Sequence, residues 1–491
     1  MTVHPNRPYP LLFILFFVTY AYFFQGGGWN QNIRICEVRA LLHEHSLSIN
    51  AYKEDSREPF CEFVNSGDWA YRDGHYYSNK SQGLSLLAFV PFGIMERVAA
   101  HFFPGDPERQ VYLGAFAANL VAVVLCSALL CLLLFYFFTS VFSFPDTYAL
   151  LLTVCFGLGT LAFPYSTIFY SHLPAAFFSF LAFVLVLRAA HGRTAHARSS
   201  LFFSGVASSC AVLLEPSCIF IVVCLFCYLL VFPETRRYGV YFVLGGVPGG
   251  LVQLYVNSVC FGGPLASGYD YANDAVMFRV NGKLFGFPRP GNIAAILFLP
   301  NRGLFVTSPA LVMAAPGIFL LLGKRSHIAE ALLCVSVSAV FLLFIVSYFA
   351  WHHASTPGPR YLLPAFPFMF VLAAYACRQW RTVFALLGVA GIVINLVITL
   401  VGNEIPHDID NPLTDFILKN ALAGKVSVNP APFSNFENYN IAELAVTDQW
   451  PQNFNAFNMG EFLFPHSVLS ILPLVLFWLV WVYCWKRVMR Q

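Results

Sequence analysis

Apolar runs long enough to cross a bilayer recur along nearly the whole sequence, and they constrain the fold more than any other feature. A helix needs about 20 mostly apolar residues to span the hydrocarbon core. The runs are continuous and rich in Leu, Phe, Val and Ala, so they predict helices and not barrel strands. The chain has 58% hydrophobic residues, 11% charged residues and a mean hydropathy of +0.65. We therefore predict an all-α, polytopic transmembrane bundle of about twelve or thirteen helices.

The chain is predicted to form one integral membrane domain that covers residues 1–491. Neither an internal repeat nor a stretch of soluble composition divides it. The first apolar run, residues 11–24, has no small-residue cleavage site after it, so we expect a retained helix rather than a signal peptide. The net charge of +3 is too small to indicate a nucleic-acid partner, which leaves the lipid bilayer as the expected surroundings.

Clusters of basic residues predict the orientation of the helices, because short loops rich in Lys and Arg stay on the cytoplasmic side. Five clusters have this character: residues 188–198, 236–237, 324–325, 378–381 and 486–490. The extracytoplasmic segments are then residues 26–83 as a first loop, followed by 164–172, 261–301, 351–360 and a C-terminal loop at 403–463. This orientation requires that one segment between residues 84 and 163 does not cross the membrane, and the short run at 84–98 is the best candidate.

Charged and aromatic residues gather on this predicted outer face. A charge at the centre of a lone span costs about 2.5–3.5 kcal/mol on insertion scales, whereas charges at span ends avoid most of that cost. Lys80 and Arg360 suit a phosphate, Arg through bidentate hydrogen bonds and Lys as a point charge. Asp68 can take a proton from a hydroxyl, and Tyr76 and Tyr77 offer ring faces and hydroxyls for a sugar. A lipid-linked phosphosugar meets all of these demands.

Five motifs also give the chain a resemblance to a known superfamily. They are NQNIR at residues 30–34, a stretch ending in GHYYSNK at residue 80, FGLGTLAFPYST at residues 156–167, LPNRGLF, and GPRYLLPAFPF. Together they resemble the GT-C glycosyltransferases, which include the protein O-mannosyltransferases and the lipid A aminoarabinose transferases. The resemblance covers residues 26 to about 367 and is strongest to a bacterial branch. It implies a transferase that moves a hexosyl or pentosyl group from a polyprenyl-phosphate-linked sugar.

The resemblance also implies roles for individual residues. The acid of the first outer loop deprotonates the acceptor, which assigns the catalytic role to Asp68. The lysine after the aromatic motif contacts the donor phosphate, which assigns that role to Lys80. The expected substrate-binding residues are Lys80, Arg360, Tyr76, Tyr77, His75, His172, Arg34 and Arg302. We expect no cofactor and no metal, because His172 and the adjacent pair His352 and His353 do not form a convincing ligand set.

The sequence departs from the superfamily pattern where acids are expected. Amides occupy residues 30–32, Asn50 stands where a carboxylate is common, and Asn79 replaces the aspartate of the related S-D-K-A-P-G motif. These departures leave Asp68 as the best candidate acid, with Asp73 and Glu37 behind it. They also keep open a catalytically inactive, lipid-binding protein.

A transporter or flippase is the other alternative, but transporters place substrate groups near the bilayer midplane and usually show two matching halves. The acceptor is expected to be a glycan, lipid or protein, and neither the acceptor nor the sugar is specified by the outer-face residues. The resemblance implies a cell-envelope enzyme of the bacterial inner (cytoplasmic) membrane, with its active site facing the periplasm.

Overall fold

The fold is known from a computed structural model, which describes most of the chain. The described residues are 8–26, 28–53, 66–194, 196–273, 284–300, 302–324, 327–348, 356–403, 411–428, 456–465 and 467–489. His352, His353 and most of the predicted C-terminal loop lie outside these residues.

The described residues are predominantly helical, as predicted from the apolar runs. In chain order the α-helices are α1 Tyr9–Ala21, α2 Trp29–Arg39, α3 Asn50–Lys53, α4 Gly83–Phe102, α5 Pro107–Asn119, α6 Leu125–Ser140, α7 Asp146–Gly159, α8 Ala162–Tyr165, α9 His172–Ala190, α10 Ala197–Leu214, α11 Ile219–Val231, α12 Pro233–Arg236, α13 Gly239–Phe261, α14 Pro290–Phe298, α15 Leu304–Thr307, α16 Ala314–Leu322, α17 Ile328–Ser347, α18 Phe366–Ala376, α19 Arg381–Val401, α20 Lys419–Leu422 and α21 Leu472–Val488.

Short 3₁₀ and π turns join or extend several of these helices. The π segments are Ala40–Glu44, Leu120–Val124 and Pro412–Leu418, and the 3₁₀ segments are Pro216–Cys218, Gly268–Asp270, Pro309–Met313, Arg360–Ala365, Met459–Phe462 and Val468–Ile471. The π segment between α5 and α6 is continuous with both, so the two form one long helix from Pro107 to Ser140.

Two small antiparallel sheets accompany the helices. Strand β1 (Phe23–Gln25) pairs with β4 (Ala456–Asn458), and β2 (Trp69–Arg72) pairs with β3 (His75–Ser78) as a hairpin. The hairpin turn is Asp73-Gly74, and both residues have positive φ angles of 51° and 85°. This is the conformation that a two-residue type I′ turn requires, which explains an Asp-Gly pair at this position.

Thirteen apolar helices in the described residues account for the membrane domain. Eight are long and apolar enough to cross a bilayer, and five shorter ones have 10–17 residues. The chain is thus an integral, multi-pass membrane protein. The expected number of about twelve or thirteen helices is reached only when the shorter helices are counted, because several spans are broken by Pro or by 3₁₀ turns.

Helix α4 contains the short run that was expected not to cross the membrane, and that expectation stays a prediction. Its first residue, Gly83, abuts the backbone of Leu213 at the end of α10. Thirteen residues later, Glu96 lies 3.0 Å from His43, which follows α2. The helix is 20 residues long and apolar enough to span a bilayer.

Glycines allow α10 and α13 to pack closely. A Cβ atom at Gly205 would overlap the carbonyl oxygen of Phe242, and one at Gly245 would overlap that of Phe202. Small residues at helix interfaces let backbones approach each other in membranes, where no hydrophobic force drives helices together.

The predicted orientation can be tested by cysteine labelling in intact cells. A membrane-impermeant maleimide should label Asp73→Cys at the exposed hairpin turn, and it should not label Thr194→Cys, which lies in the basic loop after α9. Both variants should react after permeabilisation, and the unsubstituted protein measures background from the native cysteines. Labelling of Thr194→Cys alone in intact cells would reverse the orientation.

Candidate active site

The β2–β3 hairpin brings Asp68 and Lys80 together. Asp68 precedes β2 and Lys80 follows β3, and the backbone of Asn79 donates a hydrogen bond to the Asp68 carbonyl, which extends the ladder by one pair. Lys80 Nζ then lies 2.9 Å from Asp68 Oδ1. The two side chains are only 13% and 10% exposed, so this ion pair is largely shielded from water. The candidate base and the candidate phosphate ligand therefore neutralise each other in this structure.

Arg34 is fixed on α2 beside this pair. It is 2% exposed, and its guanidinium donates hydrogen bonds to Asn30 Oδ1 (3.1 Å), the Ser81 carbonyl (2.7 Å) and Ser171 Oγ (2.9 Å). Burial lowers the pKa of Arg34, and the carboxylates of Glu215, Glu37 and Asp68 oppose that shift. With all three nitrogens engaged, Arg34 holds the start of α9 and the end of the hairpin in place.

A histidine and a carboxylate form the next pair. His172, the first residue of α9, is 4% exposed, and its Nδ1 lies 3.0 Å from Glu215 Oε1. The Ser171 hydroxyl donates to the same oxygen. Burial alone would raise the pKa of Glu215, but the charge of His172, hydrogen bonds from His172 and Ser171, and the charge of Arg34 together lower it to about 2. Glu215 therefore remains ionised and orients the His172 ring.

Arg360 lies among tyrosine rings. Its guanidinium is 5.6 Å from the ring centre of Tyr170 and 5.3 Å from that of Tyr361, and Nη1 donates to Thr356 Oγ1 at 3.3 Å. In the described part of the chain no carboxylate lies within ion-pair distance of Arg360. Burial and the charge of Arg360 both lower the pKa of Arg302, so the two guanidiniums repel each other electrostatically.

Tyr269 connects these groups. Lys80 Nζ lies 5.9 Å from its ring centre. Burial raises the pKa of Tyr269. Tyr361, Glu215 and Asp68 raise this pKa further, so the Tyr269 hydroxyl interacts electrostatically with all three residues. The structure thus brings together six residues from five segments of the chain: Asp68, Lys80, Arg34, His172, Arg302 and Arg360.

Three other predicted substrate-binding residues are not part of this cluster. His75 is exposed at the tip of the hairpin. Tyr76 packs against Trp69 and Tyr71 at centroid distances of 5.3 and 4.8 Å, and Tyr77 packs against Phe261 at 6.0 Å. Tyr76 and Tyr77, on opposite faces of β3, pack the hairpin against neighbouring residues. The predicted contacts of these three residues with substrate therefore have no support in this arrangement.

Sequence analysis missed several members of the cluster. Ser171, Thr356 and Tyr361 flank predicted residues but were not identified as functional. Tyr269 begins the sequence YDYAND in the predicted outer segment 261–301 and was not identified either. The signal that could have identified the tyrosines is an aromatic hydroxyl close in sequence to a charged residue at the end of a span.

One of the unexpected amides, Asn50, has a structural explanation. Asn50 Oδ1 accepts a hydrogen bond from the Tyr76 backbone at 2.7 Å, while Nδ2 donates to the Gly74 carbonyl at 3.2 Å. A carboxylate cannot donate the second bond, so an amide suits this site. Asn79 differs, because its buried amide atoms have no hydrogen-bond partner among the described residues. It lies directly before Lys80 and is a candidate ligand contact.

Glu37 is a second buried acid. It is 1% exposed, and Ser85 Oγ donates to its Oε2 at 2.6 Å. Burial raises the pKa of Glu37 to about 7, against the opposing effects of Ser85, Arg34 and Gln82. No group of three or more His, Cys, Asp or Glu residues in the described ranges could hold a metal ion.

Comparison with known proteins gives a likeness at the level of fold. No protein-family model and no curated protein matches the sequence. The structure of ArnT from Cupriavidus metallidurans in the apo state aligns with a TM-score of 0.50 and 16% identity, covering 84% of this chain and 67% of that one. The same protein bound to undecaprenyl phosphate aligns with a TM-score of 0.47 and 14% identity, covering 79% and 62%.

ArnT is a lipid A aminoarabinose transferase of the GT-C superfamily. The apo alignment shows that the chain has the ArnT-like GT-C helical fold, as the motif resemblance predicted. At this identity the likeness concerns the fold alone.

The raised pKa of Glu37 predicts a pH dependence of stability. An unfolded glutamate ionises near pH 4.5, whereas folded Glu37 stays protonated up to about pH 7, so folding is progressively penalised between these values. The penalty reaches about 2–3 kcal/mol above pH 7. Thermal unfolding in detergent should therefore show that Glu37→Gln is more stable than the unsubstituted protein at pH 8 and equal to it near pH 4. The exposed Glu44→Gln variant is the control, and an equal gain in that variant would contradict the prediction.

Proposed function

We propose that this protein is a membrane glycosyltransferase that moves a sugar from a polyprenyl-phosphate donor to an acceptor hydroxyl at the extracytoplasmic face of the bacterial inner membrane. The observation that carries the proposal is the shielded Lys80–Asp68 pair in the same cluster as Arg360, a cation without a carboxylate partner among the described residues. The charges of Asp68 and Arg360 both act on Tyr348. One end of an apolar bundle thus offers both a base and cations for a leaving phosphate. The ArnT-like fold is compatible with this activity, although fold alone does not establish it.

The donor phosphate would bind between Lys80 and Arg360, with Arg302 nearby. The guanidinium planes suit bidentate hydrogen bonds to phosphate oxygens. Arg302 and Arg360 repel each other without a ligand, and an anion between them would relieve that repulsion. The rings of Tyr170 and Tyr361 pack against the Arg360 guanidinium and keep it in place.

Because Asp68 is paired with Lys80, binding of the donor phosphate to Lys80 would free the Asp68 carboxylate to act as the base. While Lys80 Nζ contacts Asp68 Oδ1 at 2.9 Å, that carboxylate oxygen is occupied by the ammonium group and is not available to an acceptor hydroxyl. An incoming phosphate competes with Asp68 for Lys80 and, on binding, frees the carboxylate for the acceptor. The donor would therefore bind before the acceptor.

The transfer would be a single displacement at the anomeric carbon. Asp68 takes the proton of the acceptor hydroxyl as the acceptor oxygen forms a bond to that carbon. The bond between the anomeric carbon and the phosphate oxygen breaks, and its electron pair goes to the phosphate. Lys80 and Arg360 stabilise the charge that develops on the leaving polyprenyl phosphate.

A lipid-binding protein without catalysis is the second candidate. It is favoured by the amide at Asn30, which accepts from Arg34 where related sequences carry an acid, and by the partnerless amide of Asn79. Incubation of the purified protein with polyprenyl-phosphate sugars separates the two candidates. Loss of donor supports transfer, whereas binding without loss of any donor supports the second candidate.

Removal of either cation should weaken donor binding. Each hydrogen bond to a charged group contributes about 1.5–3 kcal/mol, so Lys80→Gln and Arg360→Gln should each lose about tenfold or more in affinity for undecaprenyl phosphate. The Arg72→Gln variant is the matched control, because Arg72 pairs with Asp73 at the hairpin turn, away from the cluster. If both test variants bind undecaprenyl phosphate like the control, the phosphate site lies elsewhere.

Asp68→Asn should separate catalysis from binding. General-base catalysis contributes about 10²–10⁴-fold, and turnover should fall by that factor. The same variant should bind undecaprenyl phosphate more tightly, because Lys80 no longer has an internal carboxylate partner. The control is Asp73→Asn, whose carboxylate is exposed. Unchanged turnover in Asp68→Asn would rule out Asp68 as the base, and unchanged affinity would rule out competition for Lys80.

A further inference from the structure

Asn79 is a buried amide whose side chain makes no hydrogen bond to any described residue. It is 3% exposed, and neither Oδ1 nor Nδ2 has a partner in that part of the chain. Buried polar groups in native proteins are nearly always paired, because an unpaired one costs free energy. An unpaired amide directly before Lys80 therefore indicates a contact with a ligand.

The backbone of Asn79 is held from two sides. Its N–H donates to the Asp68 carbonyl at 3.2 Å. Against it lies the 3₁₀ turn Gly268–Asp270, where a Cβ atom at Gly268 would be 2.9 Å from Asn79 Cα and 3.1 Å from its carbonyl oxygen. A side chain at Gly268 would push this backbone away. Asn79 is therefore held in position before a ligand binds, which lowers the cost of ordering it.

Asn79 and Asp68 are on the same face of the hairpin. Residues that face each other in an antiparallel pair have Cβ atoms about 4.5–5.5 Å apart, on one face of the sheet. Asp68 faces Asn79 one position beyond the Trp69–Ser78 pair. The amide is therefore beside the candidate base, and it can reach a substituent on the carbon next to the one that reacts.

The charges around this amide disfavour a cationic ligand. The cluster carries four cationic side chains, which are Arg34, Lys80, Arg302 and Arg360. Its carboxylates are already engaged, Asp68 by Lys80 and Glu215 by His172. Glu37, beside Arg34, carries only part of a charge, because burial raises its pKa to about 7. A positively charged sugar would be repelled by this excess of cations.

The chemistry of an amide matches an uncharged hydroxyl. Oδ1 accepts hydrogen bonds and Nδ2 donates them, and a hydroxyl group does both. An ammonium group only donates, whereas a carboxylate or the ring oxygen of a sugar only accepts. Among the groups that a sugar can place here, a hydroxyl is the one that uses both halves of the Asn79 side chain.

We propose that Asn79 binds the 2-hydroxyl of an uncharged sugar on the donor and selects against a sugar with an amino group at that carbon. The proposal rests on the proposed function, because Lys80 would place the donor phosphate and Asp68 the acceptor around the anomeric carbon. Carbon 2 is bonded to the anomeric carbon, so its hydroxyl is the sugar hydroxyl nearest to the reacting bond. The aspartate of the related S-D-K-A-P-G motif would offer a negative charge at this point, and the amide of this chain does not.

The test measures the affinity of the purified protein for undecaprenyl phosphate and for four of its sugar esters. The sugars are glucose, mannose, 2-deoxyglucose and glucosamine, each tested as both anomers and compared within one anomer. Glucose and mannose differ only in configuration at carbon 2, so 2-deoxyglucose is the analogue of both without the hydroxyl. Affinity does not depend on turnover, so the same measurement applies to a lipid-binding protein without catalysis.

The unsubstituted protein should prefer the hydroxyl. At least one of the glucosyl and mannosyl esters should bind about three- to tenfold more tightly than the 2-deoxy ester, which is the effect of a hydrogen bond between uncharged groups. The glucosaminyl ester, at a pH that keeps its amine protonated, should bind no more tightly than the 2-deoxy ester.

Asn79→Leu should remove this preference and leave the affinity for undecaprenyl phosphate itself unchanged. Leucine has nearly the same size and no unpaired polar atoms, so thermal unfolding without ligand should occur at the same or a higher temperature. The matched control is Asn420→Leu, because the Asn420 amide donates to the Phe416 carbonyl within its own helical segment. This control should keep the preference for the hydroxyl.

Asn79→Asp should reverse the selection. A carboxylate at this position pairs with an ammonium group, so the glucosaminyl ester should bind about tenfold or more tightly than the 2-deoxy ester in this variant. No gain for the glucosaminyl ester would contradict the selection that the proposal assigns to Asn79.

Equal affinity of the unsubstituted protein for the hydroxyl and 2-deoxy esters would overturn the assignment, as would a preference that survives in Asn79→Leu. If Asn79→Leu weakened undecaprenyl phosphate by the same factor as the sugar esters, Asn79 would act through Lys80 and not on the sugar. Each of these results leaves the proposed function intact, because undecaprenyl phosphate still binds to the unsubstituted protein. If that protein bound neither undecaprenyl phosphate nor any ester, the proposed function and the role of Asn79 would both be wrong.

Discussion

A charge held inside an apolar helical bundle needs a partner, and this requirement shapes the whole candidate site. Unpaired charges in a membrane domain cost several kcal/mol, so buried ions occur in pairs or in hydrogen-bonded networks. Lys80 pairs with Asp68, and His172 pairs with Glu215. Arg34 is held between the two pairs by three hydrogen bonds. The network explains how these buried charges are stabilised at one end of the bundle.

Register in one short hairpin determines the most important of these pairs. The two-residue turn fixes which residues of β2 and β3 face each other, and a shift by one residue would move every side chain to the opposite face. Trp69 then pairs with Ser78. One position further along the two strands, Asp68 faces Asn79, the residue before Lys80. The aromatic side chains of the hairpin pack against α2 and α13 and hold it there. The tyrosines thus support the site without entering it.

Under the proposed function, the polar network would recognise the phosphate of a lipid-linked substrate. Charged groups recognise a phosphate strongly and specifically, since electrostatic interactions are strong where water is excluded. The hydrophobic effect would add little energy for the lipid chain, because the chain leaves one apolar medium for another. Headgroup chemistry would then set affinity.

The sequence alone determined the membrane class, the approximate number of helices and the GT-C resemblance, because apolar length and basic loops act locally along the chain. It also selected Asp68, Lys80 and Arg360 as candidate site residues, because they are charged residues at the ends of apolar spans. It could not decide that Asp68 and Lys80 neutralise each other, that Glu215 orients His172, or that Tyr76 and Tyr77 pack against Trp69 and Phe261. Those facts depend on contacts between residues far apart in sequence, such as His172 and Glu215. Only the tertiary structure brings such residues within hydrogen-bonding distance.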